Sequence, residues 1–181
     1  MLRAQICQKL KRHGQALIDI RHMLTFDKNN FLAHEKAGDL YAALNNYKLA
    51  LKEYDIAVVH DEKILEKKIE MLYKCKEYNE VIKECEKLNM NENQVKILFY
   101  KGKSLKCIKQ ADDAIIVLEQ VITLDYSNDW TIKALYCIAK IRAKQKNFYE
   151  AHYTLNRLPN DIQCPKITTF RNLIEGVYLL L

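Results

Sequence analysis

Glycine and proline are scarce in this sequence, with 4 Gly and 2 Pro among 181 residues. Because the loops of β proteins draw heavily on both residue types, this scarcity excludes a turn-rich β protein. No run approaches the roughly 20 apolar residues that a helix needs to span a bilayer. The first residues also lack the long apolar core of a signal peptide. We therefore expect a cytoplasmic protein without a membrane segment.

The motifs of catalysis and of metal or phosphate binding are also missing. The sequence has no H-E-x-x-H pair, no glycine-rich phosphate loop and no G-x-S-x-G elbow. Its 5 histidines do not pair with cysteine at metal-ligand spacing, and its 6 cysteines form no C-x-x-C pair. We therefore expect no enzyme, no metal site and no cofactor, and we interpret most cysteines as reduced core residues.

Helix-forming residues dominate what is present, and apolar residues make up 49% of the chain. The formal net charge of +6 is a modest basic excess that is compatible with acidic partners. Apolar periodicity predicts eleven helices. They span about 2–11, 14–25, 30–44, 47–59, 62–75, 78–88, 93–108, 111–123, 130–145, 148–158 and 166–181.

An internal repeat is clearest in the segment FLAHEKAGDLYAALNNYKLALKEYDIAVV. Gly38 and Tyr41 are spaced three apart, and Ala50, Tyr54 and Ala57 follow at spacings of four and three. These spacings place each set on one face of a helix. Asn45-Asn46 between the two sets predicts a turn that reverses the chain and so forms an αα-hairpin.

The same offsets recur along the chain. Gly102 and Ala114 repeat the pattern, and Ala151 repeats its second helix. The small or short residue of each second helix is Ala16, Ala50, Val81, Ala114 and Ala151, at intervals of 34, 31, 33 and 37 residues. We expect the turns to absorb the unequal intervals, with the longest one lengthening the region 125–130. A small residue at such a position lets two helix backbones approach closely, and stacked hairpins bury a shared core.

A period near 34 with this pattern resembles the tetratricopeptide repeat family. Residues 31–62 match its pattern best and residues 95–126 next, whereas the other copies are degenerate. The resemblance implies an all-α, right-handed superhelical solenoid of about five helix pairs within a single domain, 1–181. The repeats would span 1–28, 31–61, 62–92, 95–126 and 130–163, followed by an unpaired helix at 166–181. Because the last helix is apolar and has no polar cap, we expect a fragment of a longer array.

In that family, the first helix of each pair lines a concave groove. Transfer of those positions to the last two repeats predicts a partner-binding groove of Lys96, Phe99, Tyr100, Lys103, Lys106, Lys133, Tyr136, Lys140 and Lys144. Lysine and aromatic residues on one face suit an acidic, partly apolar peptide. The alternative is that Phe99, Tyr100 and Tyr136 pack between helices and that the lysines are simply solvated.

The resemblance favours a non-catalytic scaffold or adaptor subunit of a larger cytoplasmic assembly, with ciliary and cytoskeletal complexes among the settings. Its partners would be proteins, bound through the groove and the open ends. One alternative is an RNA-binding helical repeat, although few arginines and several acidic groove positions weigh against it. A second is a co-chaperone domain that clamps a terminal carboxylate. Acidic Glu35 and Asp39 stand at the leading clamp positions of one frame and disfavour that alternative.

Overall fold

The computed structural model describes residues 12–59, 63–87, 95–125, 129–159, 162 and 164–180. Within these ranges the regular structure is entirely helical. The helices are α1 His13–Phe26, α2 Phe31–Ala43, α3 Tyr47–Ala57, α4 Lys63–Lys74, α5 Tyr78–Glu86, α6 Val95–Cys107, α7 Ala111–Leu124, α8 Asp129–Lys144, α9 Phe148–Asn156 and α10 Pro165–Tyr178. The predicted helix at 2–11 lies outside the described residues. The other predicted helices are all present, with ends shifted by three residues at most.

Contacts between helices group the chain into two compact units, unit 1 (Met1–Glu80) and unit 2 (Val81–Leu181). In unit 1, α1 packs on α2, α2 on α3 and α3 on α4. In unit 2, each helix from α6 to α10 packs on the next, and α6 also contacts α8. Each unit is therefore a stack of helix hairpins. The expectation of one domain over 1–181 stays a prediction.

In four helix pairs, the two helices are joined by the same turn, which we call the corner. Two residues after the first helix of each pair ends, the chain adopts a left-handed backbone, at Asn45, Lys76, Lys109 and Lys146, with φ between 59° and 70°. The next amide donates to the carbonyl five residues back, for example Asn46 N to Tyr41 O at 2.8 Å and Gln110 N to Leu105 O at 3.0 Å. These are the bonds of a Schellman motif, which satisfies the free carbonyls at a helix end.

Each left-handed residue lies five positions before the small residue of the following helix. The corner within a pair is therefore constant, and the unequal repeat intervals arise elsewhere. Helices α7 and α8 have 14 and 16 residues, and α8 begins at Asp129. Residues 129 and 130 of the region that was expected to lengthen are therefore helical, and the expectation itself stays a prediction. Residues 126–128 of that region lie outside the described residues, and the Asp125 carboxylate accepts the Thr131 amide proton at 2.6 Å.

The repeat positions form the core of both units. Gly38, Tyr41, Ala50, Tyr54, Ala57, Gly102, Ala114 and Ala151 are all buried. The five small residues that mark the second helices are all 0% exposed. At Gly102, an added Cβ would meet the Leu118 side chain at 2.7 Å and the Ala114 carbonyl oxygen at 3.4 Å. Because Gly102 has no side chain, α6 and α7 can cross at short range. None of the described helices is long and apolar enough to cross a membrane.

Candidate functional site

The constant corner provides a register for comparing the first helices of successive pairs. Counting back six positions from each left-handed residue gives Asp39, Glu70, Lys103 and Lys140. Counting back ten gives Glu35, Glu66, Phe99 and Tyr136. Both register positions are acidic in α2 and α4 of unit 1. In α6 and α8 of unit 2, they hold lysine and an aromatic residue.

In unit 1, a lysine of α4 binds the two acidic residues of α2. Lys67 Nζ lies 2.7 Å from Glu35 Oε1 and 2.8 Å from Asp39 Oδ1. The Tyr54 hydroxyl donates to the same Asp39 oxygen at 2.8 Å. This Lys67 network (Glu35, Asp39, Tyr54 and Lys67) links α2, α3 and α4, so its charges are used within the fold.

The ionisation of the Lys67 network reflects this pairing. Burial would raise the pKa of Glu35, but the hydrogen bonds and charges of Lys67 and Lys36 together outweigh burial and hold that pKa below 4.5. Burial would lower the pKa of Lys67, but Asp39 and Glu35 raise it above 10.5. Burial and the Asp39 side chain both raise the pKa of Tyr54 far above its ordinary value. At neutral pH, Glu35 is therefore ionised, Lys67 is charged and Tyr54 keeps its phenolic proton.

A cavity of about 330 Å³ opens beside this network in unit 1. Its charged lining residues are Asp39, Lys67, Glu70 and Lys74. Lys74 Nζ pairs with Glu70 Oε1 at 3.0 Å. Equal numbers of acids and bases therefore line the cavity, and they pair with each other. We expect little net attraction for a charged ligand here.

Unit 2 contains a second cavity, of about 350 Å³, at the equivalent register positions. We call it the basic groove. It is lined by Phe99, Lys103, Lys106, Lys133, Tyr136, Cys137, Lys140, Cys164, Lys166 and Ile167. Five of these residues are lysines, and none of the lining residues that the structure describes is acidic. Helices α6 and α8 form most of the groove, and the beginning of α10 closes one side.

The aromatic rings of the basic groove also pack into the protein. Phe99 is 7% exposed, belongs to the core of unit 2, and places its ring centroid 5.2 Å from that of Trp130. Tyr136 is half-buried and meets the Phe170 ring edge-to-face at a centroid distance of 5.6 Å. The two interpretations of these aromatics are therefore compatible, since each ring packs between helices and also lines the groove.

Three lysines of the groove lie over aromatic rings. Lys103 Nζ lies 5.4 Å from the Phe99 ring centroid, and Lys140 Nζ lies 5.3 Å from the Tyr136 centroid. Lys133 Nζ approaches the Trp130 centroid to 3.9 Å. At such distances a ring face attracts the ammonium group, by about 0.5–1 kcal/mol at exposed sites. These contacts hold the lysine stems beside the groove.

Cys137 lies in the basic groove and is buried. Lys106 Nζ donates to Cys137 Sγ at 3.7 Å. Burial raises the pKa of Cys137, and the charges of Lys106, Lys103 and Lys140 only partly oppose that effect. The thiol is therefore neutral at pH 7, and it lies in a cavity that Lys103, Lys106 and Lys140 also line.

The structure brings together six of the nine residues that the sequence predicted for the groove. They are Phe99, Lys103, Lys106, Lys133, Tyr136 and Lys140. Lys96, Tyr100 and Lys144 are not among the lining residues in the described ranges. The Tyr100 ring instead meets the Phe99 ring at a centroid distance of 5.9 Å.

Sequence reasoning missed Cys137, Cys164, Lys166 and Ile167. Cys137 occupies the same register position as Lys36 and Lys67, nine before the left-handed residue, and this signal could have found it. The other three come from α10 and the residue before it. No repeat pattern predicts their approach to α8.

Within the described part of the chain, no group of three or more His, Cys, Asp or Glu side chains could hold a metal ion. No family model matches the sequence.

Solved structures with similar folds are tetratricopeptide repeat (TPR) proteins. MamA, 41 to the end, from Desulfovibrio magneticus RS-1 has a TM-score of 0.76 and 16% identity, over 85% of this chain and 88% of its own. A tetratricopeptide repeat protein from Parabacteroides merdae has a TM-score of 0.73 and 15% identity, over 97% of this chain and 70% of its own.

YrrB, described as a TPR protein with an unusual peptide-binding site, has a TM-score of 0.69 and 20% identity, over 84% of this chain and 79% of its own. Together these likenesses show that the chain has the fold of an all-α TPR solenoid, which confirms the predicted fold class.

Proposed function

We propose that this chain is a non-catalytic protein-interaction module that holds an acidic, partly apolar segment of another protein in the basic groove. The observation that carries the proposal is the lining of the groove. The described lining residues include five lysines and no acidic residue, and Phe99, Tyr136 and Ile167 are their apolar and aromatic members.

The charge of the groove favours an acidic occupant. Positive side chains that line a concave surface attract negative segments and speed their association. Tyr136 is half-buried, and its ring offers contact area for an apolar side chain of the same segment. The cavity of unit 1 lacks this charge excess because its lysines pair with Asp39 and Glu70. We therefore place the binding site in unit 2.

The likeness to YrrB supports a peptide as the occupant. That protein is described as having a peptide-binding site, and it shares the fold at 20% identity. The wider role, as a scaffold or adaptor in a larger cytoplasmic assembly, rests on the sequence resemblance. A ciliary or cytoskeletal setting also stays a prediction from that resemblance.

The Lys67 network argues against a carboxylate clamp in unit 1. Lys67 stands at one of the basic clamp positions, but its ammonium group already binds Glu35 and Asp39. A terminal carboxylate would have to displace both side-chain carboxylates and would be repelled by them. The co-chaperone alternative is therefore not part of this proposal.

A peptide-display library can test the proposal without knowledge of the partner. We expect the wild-type chain to enrich peptides that combine Asp or Glu with Leu or Phe. Lys140→Met should weaken an enriched peptide about three- to tenfold, since it removes one charge and keeps the apolar stem. Lys144→Met is the matched control, because it makes the same change one turn along α8 outside the groove lining.

Two results would contradict this function. Enriched peptides that bind the Lys140→Met variant as tightly as the wild type would place binding elsewhere. A single-stranded RNA such as oligo(U) that outcompetes every enriched peptide, with affinity falling steeply as salt rises, would instead indicate an RNA-binding repeat.

A further inference from the structure

Three lysines of the basic groove line the cavity beside the Cys137 thiol. Lys106 Nζ lies 3.7 Å from Sγ, and Lys103 and Lys140 line the same cavity as Cys137. Lys103 and Lys140 occupy the same register position on α6 and α8. Their place in the groove therefore follows from the stacking of two neighbouring helix pairs.

We propose that this point, which we call the Cys137 anion site, binds the phosphoryl group of a phosphorylated side chain in the partner segment. This inference rests on the proposed function and gives the partner a specific chemistry. The site consists of Lys103, Lys106, Lys140 and Cys137, with Phe99 and Ile167 as its apolar neighbours.

The charge of a phosphoryl group matches the site better than that of a carboxylate. A phosphomonoester carries about −1.5 to −2 charges at pH 7 and three strong acceptor oxygens. Each lysine supplies one compact positive charge and three donors. A single carboxylate carries one negative charge and two acceptor oxygens, so it matches three ammonium groups less well. No arginine lines the described part of the groove, so the planar two-bond recognition of carboxylates by guanidinium is missing.

The surroundings of the site strengthen its attraction for an anion. Phe99 and Ile167 are buried and lower the local dielectric constant, which increases the energy of each charge pair. Because burial raises the pKa of Cys137, the thiol stays neutral and does not cancel the lysine charges. The thiol therefore leaves the positive charge of the site unchanged.

Unit 1 provides an internal comparison. The register position of Lys103 and Lys140 is occupied there by Asp39 and Glu70. Asp39 accepts hydrogen bonds from Lys67 and Tyr54, so the same place in the fold is filled by an intramolecular carboxylate. In unit 2, the same register position holds lysine, and no described lining residue of the groove supplies a carboxylate.

Isothermal titration calorimetry with three small probes tests the inference. Phenyl phosphate presents a phosphoryl group on an aromatic ring, benzoate presents a carboxylate on the same ring, and inorganic phosphate lacks the ring. We expect phenyl phosphate to bind at least about tenfold more tightly than either of the other probes. Its affinity should fall between pH 7 and pH 5 as the dianion takes up a proton near pH 6, whereas the affinity of benzoate should not.

Substitution of single lysines shows where phenyl phosphate binds. Lys106→Met and Lys140→Met should each weaken phenyl phosphate at least about threefold, and Lys144→Met should leave its affinity unchanged. Circular dichroism and urea unfolding of the same variants show that each remains folded.

Several outcomes would overturn the inference. Benzoate binding as tightly as phenyl phosphate would show that the site takes any anion of this shape. Inorganic phosphate binding as tightly would indicate a site for the free ion. Equal losses in the Lys144→Met and Lys140→Met variants would show a diffuse surface effect, and oligo(U) displacing phenyl phosphate at low concentration would indicate nucleic acid. If these probes fail while acidic library peptides still bind and depend on Lys140, the phosphoryl inference falls and the proposed function stands.

Discussion

The ring of Tyr54 occupies the space into which a side chain on Gly38 would extend. An ideal Cβ on Gly38 would lie 2.5 Å from Tyr54 Cε1 and 2.7 Å from Cδ1, closer than carbon atoms approach each other. The ring cannot move away freely, because the Tyr54 hydroxyl donates to Asp39 Oδ1 at 2.8 Å. Gly38 and Tyr54 therefore fix the distance between α2 and α3.

Gly38→Ala should destabilise unit 1 by about 1–3 kcal/mol, because the added methyl group overpacks this crossing. Gly14→Ala is the control, since an added Cβ there meets no atom within 4 Å. Because Gly14 is the second residue of α1, this change should raise stability by less than the roughly 1 kcal/mol of a helix interior. Urea unfolding measures both changes. Equal stability of Gly38→Ala and the wild type would show that α2 and α3 do not cross as closely as described.

Lys109→Gly should raise the free energy of unfolding by about 0.5–1 kcal/mol. The left-handed backbone of Lys109 costs a residue with a Cβ about 1–2 kcal/mol, and the greater freedom of glycine in the unfolded chain returns part of that gain. Lys101→Gly makes the same replacement inside α6 and should cost about 1 kcal/mol. If both variants lose stability equally, the left-handed corner is not formed in solution.

Glu35 should titrate below 4.5 in the folded protein, because Lys67 holds its carboxylate. A lowered pKa means that this contribution to stability is complete above the unfolded pKa of about 4.5 and is lost as the pH falls through the folded value. Carbon-13 NMR of the side-chain carboxyl group measures the titration directly. Lys67→Met should move the midpoint upward. A midpoint at or above 4.5 in the wild type would contradict the Lys67 network.

At high pH, the contribution of Lys67 to stability depends on pH in the opposite direction. Because the pKa of Lys67 is raised above 10.5, its contribution is complete below that value. It is lost only as the pH rises through the folded pKa.

Cys85 should resist alkylation while Cys107 reacts. Burial raises the pKa of Cys85 to about 12, so its thiol is almost fully protonated at pH 8, and the thiolate is the reactive species. Cys107 is exposed at the end of α6. Mass spectrometry after a pulse of iodoacetamide should show Cys85 modified at least about 100-fold more slowly. Comparable rates in the native protein would mean that the core around Cys85 opens readily.

The helix pairs could be predicted from the sequence because their determinants are local. Apolar periodicity sets each helix, and a small residue such as Ala50 or Ala114 marks where two helices cross. These residues recur at nearly constant spacing, so several independent signals agree. The corner itself was expected only at Asn45-Asn46. Lys76, Lys109 and Lys146 carry no turn signal, because lysine rarely adopts a left-handed backbone.

The candidate site could be predicted only where the repeat register defines it. Lys103 and Lys140 follow from the register, whereas Lys166 and Ile167 reach the groove through the tertiary packing of α10. The pairing of Glu35 and Asp39 with Lys67 in unit 1 was also not predicted. Lys67 lies 32 residues from Glu35 and 28 from Asp39 along the chain, so only the stacking of helix pairs shows that they meet.

Because the four corners share one backbone geometry, a first helix could be exchanged for one of equal length from another pair. Asn45, Lys76, Lys109 and Lys146 hold one backbone geometry with different side chains around them, so the path of the chain there does not depend on the helix that precedes it. Because α2 and α6 both have 13 residues and end in this corner, replacing one sequence by the other would preserve the spacing of the corners. Such an exchange would transfer the acidic side chains of α2 or the basic side chains of α6 to the other unit. The charge of a groove could therefore be changed by replacing one helix.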